Sequence, residues 1–419
     1  MQHLKWVKIC VGIIFGNLML FGFSAHGISL SKGRFYHSYI IAMYALAIAI
    51  TFTVSYGQSM LNDWQNDEFD LENVTKLYSY MNIISVIINY LTALILSKTF
   101  VRFFNTVALF DTLKFFEVSA RTVMVSVRLV ILKALLIPVI YEVTLLLQQI
   151  RNEPDKHLLW TLYTVLPLIL AQMFPNIFFS ALVISKVLVE TLNERLCEIV
   201  NEVNCMQSTL QMSLHKPYYR MQRFCDLADR LDLLAQKYDI ICRQMTKYLQ
   251  LLSAPLICSL LCNLCGITVG CFRQYLAIAE TLVNNEPYDV FQASTNAVFL
   301  AISVIEVMLQ AQISDNNVVK VEINLKKKRK LLAMLGNEFF LQVQETGLIL
   351  QRINLTHADL RFKQSVEAFS LLVLVTKYKI QPLGLMEINI SLIQDVLSAV
   401  TSFLLIFVQS DLTLRFSLK

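Results

Sequence analysis

The stretch DVLSAVTSFLLIFVQSDL, Asp395 to Leu412, decides what kind of molecule this is. Wound as an α-helix, it returns Asp395, Ser398, Ser402 and Gln409 to one narrow stripe, with Ile406 and Leu405 beside it. Val396, Leu397, Val400, Phe403, Leu404, Phe407 and Val408 cover the other sides. A run of about 20 residues this apolar has the length needed to cross roughly 30 Å of hydrocarbon. The rest of the chain confirms the solvent. Of 419 residues, 56% are hydrophobic and 16% charged, against roughly 45–50% apolar and about 25% charged in soluble domains.

Six further runs of this kind occur, so the spans fall at 38–57, 78–97, 129–149, 160–185, 248–272, 291–313 and 388–410. None alternates like a barrel strand. Backbone N–H and C=O groups cannot be left bare in lipid, and each span is therefore a helix. With the N-terminus in the cytosol, 29 Lys and Arg lie on inside segments, 6 lie outside, and Lys133 remains within the third span. Lys98, Arg102, Lys114 and Arg121 around the first inner loop agree with that orientation. The expectation is an all-α membrane protein of seven transmembrane helices with long cytosolic helical extensions, a cytosolic N-terminus and an extracellular C-terminus.

Residues 9–23, ICVGIIFGNLMLFGF, resemble the apolar part of a signal peptide. Cleavage there would invert all seven helices, so an interfacial or re-entrant helix is expected instead. The domain plan is then 1–37, a cytosolic segment with that helix; 38–187, spans one to four; 188–247, a cytosolic helical anchor; 248–313, spans five and six; 314–387, a second cytosolic anchor; and 388–419, the last span with a short external tail. In the first anchor Glu190, Glu194, Glu198 and Glu202 keep helical spacing, and apolar positions such as Leu231 and Leu234 recur three and four apart. In the second, LKKKRK at 325–330 is a positive anchor that can also touch anionic lipid. VEAFSLLVLVT at 366–376 is too short to span and reads as a core helix.

The outer loops are acidic, with Asp63, Asp67, Glu68, Asp70 and Glu72 before the second span and Glu280, Glu286 and Asp289 before the sixth. Such loops concentrate cations, or simply stay solvated. Asn73-Val-Thr75 is a glycosylation acceptor on that face. Cys258, Cys262, Cys265 and Cys271 crowd the fifth span without a histidine and read as packing residues, not a metal site. No nucleotide loop, hydrolase elbow or zinc-protease motif is present. No enzyme, cofactor, metal or nucleic-acid partner is expected.

The polar stripe of the last helix has two readings: a water-filled path lined by several copies, or close packing through Ser398 and Ser402. A longer pattern bears on the choice. LGLMEINISLIQDVLSAVTSFLLIFVQS, Leu383 to Ser410, resembles the C-terminal signature of insect gustatory receptors, with Gly384 at its glycine, Ala399-Val400-Thr401 at its Ala-Val-Thr run and Gln409 at its glutamine. Ser402 and Phe403 stand where the signature has Thr-Tyr, and Ser410 replaces its final Phe. That resemblance implies a tastant-gated, non-selective cation channel, a homo- or heterotetramer of related subunits whose last helices ring the pore. Cytosolic helices would form the inter-subunit anchor. On it, Gln409 meets the permeating cation, Ile406 is the apolar constriction, and Ser402 and Ser410 share the lumen.

The resemblance also implies a ligand pocket in the outer half of each subunit. Polar and aromatic residues at that level are Tyr80, Asn82, Tyr141, Glu142, Trp160, Tyr163, Phe291 and Asn296, with Tyr78 and Thr295. The aromatic ones also suit an interfacial belt. Glu306 lies deeper in the sixth span and suits packing or coupling. Without a Glu after Phe403, as the sugar-receptor branch tends to carry, a bitter or aversive compound is favoured. The implied location is the plasma membrane of a chemosensory neuron. A G-protein-coupled receptor of inverted topology and a secondary transporter are the alternatives, though no Asp-Arg-Tyr, Asn-Pro-x-x-Tyr or internal repeat supports them.

Overall fold

The computed structural model describes residues 2–29, 33–65, 74–106, 113, 115–152, 157–207, 217–284, 289–312, 338–376, 382–384 and 390–417. Seven of its helical stretches are long and apolar enough to cross a membrane: Tyr39–Gln65, Lys76–Ile95, Ala120–Arg151, Leu158–Met206, Ser253–Ala279, Val290–Met308 and Leu392–Thr413. Each coincides with one expected run. The elements are α1 (Gln2–Leu20), a hairpin of β1 (His26–Ser29) and β2 (Arg34–His37), α2 (Tyr39–Gln65), α3 (Val74–Ile95), α4 (Ser97–Thr106), α5 (Ala120–Ile131) and α6 (Ile137–Asn152). There follow α7 (Leu158–Ala171), α8 (Met173–Met206), α9 (Pro217–Leu251), α10 (Ser253–Asn284), α11 (Val290–Gln312), α12 (Glu338–Gln351), α13 (Leu360–Val375) and α14 (Ile390–Ser417). Asn73 and the LKKKRK run lie outside the described residues.

Proline explains where the long spans change direction or pitch. Pro138 has no N–H for the carbonyl one turn back, and a π-helical segment, Leu132–Leu136, joins α5 to α6 just before it. Pro175 in the first turn of α8 cannot bond to Ala171, and the chain breaks from α7 at Gln172. Pro255 does the same for α10, separated from α9 at Leu252. The first of these breaks sets Lys133 in the irregular turn, a fact that matters below.

Consecutive spans alternate in direction, so the bundle has a loop end, where α2 meets α3, α6 meets α7 and α10 meets α11, and an opposite anchor end. α8 has 34 residues; at about 1.5 Å each it exceeds the ~30 Å of a hydrocarbon core. Its far half and α9 leave the bundle and pack with α12 and α13. There Leu196, Leu227, Leu231, Tyr238, Phe362 and Phe369 are fully buried, and Thr346 Oγ1 donates to Asn193 Oδ1 at 2.6 Å. Outside, Glu202 accepts from Arg223 and Arg230 at 2.6 and 3.0 Å. The segment at 366–376 is the core helix expected, through Val366 and Phe369. Leu231 and Leu234 of α9 are both buried among the helices of this end of the chain, as their recurrence three and four residues apart leads one to expect.

The N-terminal helix is neither isolated nor loosely attached. α1 packs on α5, and Phe15 meets Phe35 of the hairpin and Phe104 of α4, with ring centroids 4.9 and 6.1 Å apart. Gly27 sits opposite Tyr36 in the ladder; a Cβ there would run into the Tyr36 ring.

Candidate functional site

The third and sixth spans meet along a polar seam that runs from the loop end toward the middle of the membrane. At the rim Arg151 pairs with Asp289 at 2.6 Å, and its guanidinium lies 5.0 Å over the Phe291 ring. One turn down, Gln148 Nε2 donates to Asn296 Oδ1 at 2.6 Å, both residues buried. Next the Tyr141 ring stacks on Phe299 at 5.6 Å. Deepest, Lys133 in the π-helical turn donates to Glu306, and its ammonium also lies 3.4 Å from Asn176 Oδ1 of α8. Positions 151, 148, 141 and 133 on one helix thus mate with 289, 296, 299 and 306 on its antiparallel partner. The spacings keep each rung on one helical face.

The second and fifth spans close the seam. The Tyr78 and Tyr141 hydroxyls are 3.2 Å apart, and Tyr78 meets Phe299 edge-on at 6.0 Å. A Cβ on Gly266 would come within 3.2 Å of the Tyr78 ring, so the missing side chain on α10 is what admits that ring. Asn82 is buried one turn below, donating to the Tyr78 carbonyl at 2.8 Å. Asn296 Nδ2 is buried without a partner among the described residues. In an apolar surround such a group costs free energy until something binds it. The seam therefore gathers aromatic faces, paired phenols and a free amide donor in one buried layer.

The eight expected pocket residues divide among three places. Tyr141 and Asn296 belong to the seam, with Asn82 beside it and Phe291 at its rim. Tyr163, Trp160 and Tyr80 form a separate cluster facing α2. Tyr163 stacks on Tyr56 at 4.4 Å and on Trp160 at 5.7 Å, Ser55 Oγ donates to its hydroxyl at 3.2 Å, and Tyr80 donates to Asp63 at 2.6 Å. Glu142 is half-buried on α6 with no hydrogen bond or ion pair among the described residues. Gln148, Phe299 and the pairing of Lys133 with Glu306 escaped the sequence reading. A signal existed for the last: two opposite charges, each inside an apolar span, require partners.

Ser402, Ile406, Gln409 and Ser410 are all exposed on α14. The helix turns its other side inward: Val400 is buried against Ile267 and Val307, Phe407 lies 5.5 Å from Phe272, and Asp411 accepts from Tyr275 at 3.0 Å. Phe407 also packs on the cluster of Tyr78, Tyr141 and Phe299, so the seam and the last helix are in contact. Ser402 Oγ bonds back to the Ser398 carbonyl at 2.9 Å.

Seven apolar helices, four of them meeting at a buried polar seam and two prolonged into a bundle beyond the membrane, define a polytopic helical membrane protein. Residues 11–414 match the family described as 7tm Chemosensory receptor, and the chain belongs to that family. It is 40% identical over 418 residues to the Drosophila melanogaster protein named "Putative gustatory receptor 94a", covering 100% of this chain and 98% of that one. It is 38% identical over 422 residues to "Putative gustatory receptor 97a" of the same organism, covering 100% and 93%.

Proposed function

We propose that the protein is a gustatory receptor acting as a tastant-gated, non-selective cation channel, with α14 of four subunits surrounding the pore. The observation that carries this reading is the stripe of Asp395, Ser398, Ser402, Gln409 and Thr413, all exposed on the face of α14 opposite Val400, Phe407 and Asp411. Polar groups at membrane depth face water or protein, not lipid. A second copy of the same helix, repeated around an axis, supplies both. Ile406, 58% exposed on this face, is then the apolar ring that closes the path by dewetting, and Gln409 supplies an amide to a partly dehydrated cation.

The tastant binds at the seam, against Tyr141, Asn296 and Tyr78, and a bitter or aversive compound is favoured over a sugar. Its occupancy shifts the packing of α11 and α10, and Phe272 transmits this to Phe407 on the pore helix. The receptor works in the plasma membrane of a chemosensory neuron, with the N-terminus inside and Asn73 glycosylated outside.

Whole-cell recording at matched surface expression tests the reading. Ile406→Ser should raise ligand-independent current, Ser410→Phe should lower it, and Gln409→Ala should change permeability ratios more than ligand sensitivity. Indifference of basal current and selectivity to all three would remove α14 from the conduction path. An epitope after Lys419 should stain intact cells; staining only after permeabilisation would favour the inverted receptor.

A further inference from the structure

A cavity lies at the end of the bundle away from the seam, and none of the expected pocket residues lines it. A space of about 240 Å³ lies between α1, the hairpin, α4, α5, α8 and α9. This is larger than the roughly 150 Å³ apolar cavity that stays dry and accepts benzene. Its wall is almost wholly aliphatic and aromatic, with Val127, Ile184 and Phe104 typical of it.

The few polar side chains in the wall separate into two kinds. Ser126, Ser180 and Ser185 donate to carbonyls of their own helices, at 3.0, 2.8 and 3.0 Å. They offer little to a guest. Gln244 Oε1 and Tyr248 Oη are buried and have no hydrogen-bond partner among the described residues. Tyr248 is only 3% exposed, and its ring is held between Phe103 and Phe178, with centroids at 5.8 and 6.4 Å. Gln244 and Tyr248 are one turn apart on one face of α9, and both line the cavity.

We propose that this cavity binds an acyclic apolar alcohol, a long-chain or terpenoid alcohol, with its hydroxyl between Gln244 and Tyr248 and its hydrocarbon in the apolar volume. A hydroxyl matches the pair because it donates one hydrogen bond and accepts another: it gives to the Gln244 oxygen and takes from the Tyr248 hydroxyl. A carboxylate only accepts and would leave the Gln244 oxygen bare. A single water would satisfy both groups yet leave the aliphatic walls without contacts. The site is separate from the seam and does not depend on the channel reading.

The test is saturable binding of tritiated 1-decanol to the full-length chain in phospholipid nanodiscs, measured against discs without protein. n-Decane serves as the competitor lacking a hydroxyl, compared at equal mole fraction in the bilayer. The wild type should bind decanol saturably and prefer it to decane by roughly tenfold, the scale of one well-made buried hydrogen bond. Tyr248→Phe removes only the Oη and should narrow that preference while decane still binds, which also shows the cavity intact. Val127→Trp, which fills the space, should displace both. Absence of a saturable component in the wild type, or a decanol preference that survives both Tyr248→Phe and Gln244→Leu, would overturn the assignment.

Discussion

Two spans of nearly equal hydropathy have opposite surroundings. An apolar 18-residue segment of Leu158–Met206 has a mean hydropathy of 1.8 and 61% of its residues buried within the chain, whereas one of Leu392–Thr413 has 1.7 and 6%. Hydropathy reports the solvent a helix was made for. It does not report who covers it. α8 is the axis on which α5, α9 and α12 pack, whereas α14 lies mainly against α10 and α11 along one edge and shows the remainder, polar stripe included, to the outside. The difference separates what this chain stabilises by itself from what a further molecule must complete.

The largest effect should come from breaking the covered side. Leu231 and Leu234 are buried in the anchor, and losing a buried Leu costs about 2–5 kcal/mol. Leu231→Ser with Leu234→Ser should therefore remove folded protein altogether, measured as loss of the monodisperse peak in detergent. Phe403→Ala with Leu405→Ala on α14, where both side chains are about half exposed, should retain it. Equal losses in both pairs would mean that α14 is as much a part of the chain's own core as α9. For the tetramer proposed above, candidates for the contact between subunits lie on the outer face of α13, where Leu371, Leu374 and Val375 are exposed.

This contrast also marks what could be read in advance. The seven spans were legible because each run of apolar residues is a local property. The continuation of spans four and five into anchor helices was legible too, from the charge spacing after Leu188 and before Lys247. The seam was legible only as a level: Tyr141 and Asn296 could be placed at one depth, but their neighbours Phe299 and Gln148 depend on which face of α6 turns toward α11. No local pattern encodes that rotation. The hairpin at 26–37 went unread because four-residue strands carry little periodicity, although Gly33 at φ +65 marks the turn. The pocket residues facing α2 fell together with the rest because depth alone does not distinguish one side of a bundle from another.

The second effect should be the seam's ion pair. Lys133 and Glu306 are 4% and 6% exposed, and removing one partner of a buried pair costs roughly 3–5 kcal/mol, because the other charge is left bare. Lys133→Met or Glu306→Gln alone should lower the thermal midpoint of the purified receptor, and the double variant Lys133→Met with Glu306→Met should recover most of the loss. Additive losses in the double variant would show that the two charges act independently, and that their pairing is not a rung of the seam. Comparable changes at exposed Asp395 on the uncovered helix should leave the midpoint where it is.

The smallest effect belongs to the hairpin, at the edge of the covered region. His26 is buried among Phe15, Phe35, Phe100 and Phe104, and burial, assisted by the charge of His37, pushes its imidazole down from the usual 6.5 to about 4. The docked hairpin therefore holds a neutral ring, while the released one accepts a proton near the ordinary value. Between those two values the released state binds more protons, so docking weakens as the pH falls from 6.5 toward 4, by at most about 1.4 kcal/mol per pH unit, and stays level above and below. Hydrogen exchange of the 26–37 amides, corrected for its intrinsic pH dependence, should be faster at pH 5 than at pH 7 in the wild type. His26→Phe should abolish the difference, because no titrating group then sits in the aromatic nest. His37→Gln removes only the neighbouring charge and should narrow the window slightly, from its acid side. An exchange rate indifferent to pH in the wild type would mean that the hairpin opens without exposing His26, and the edge of the covered region would have to be drawn outside it.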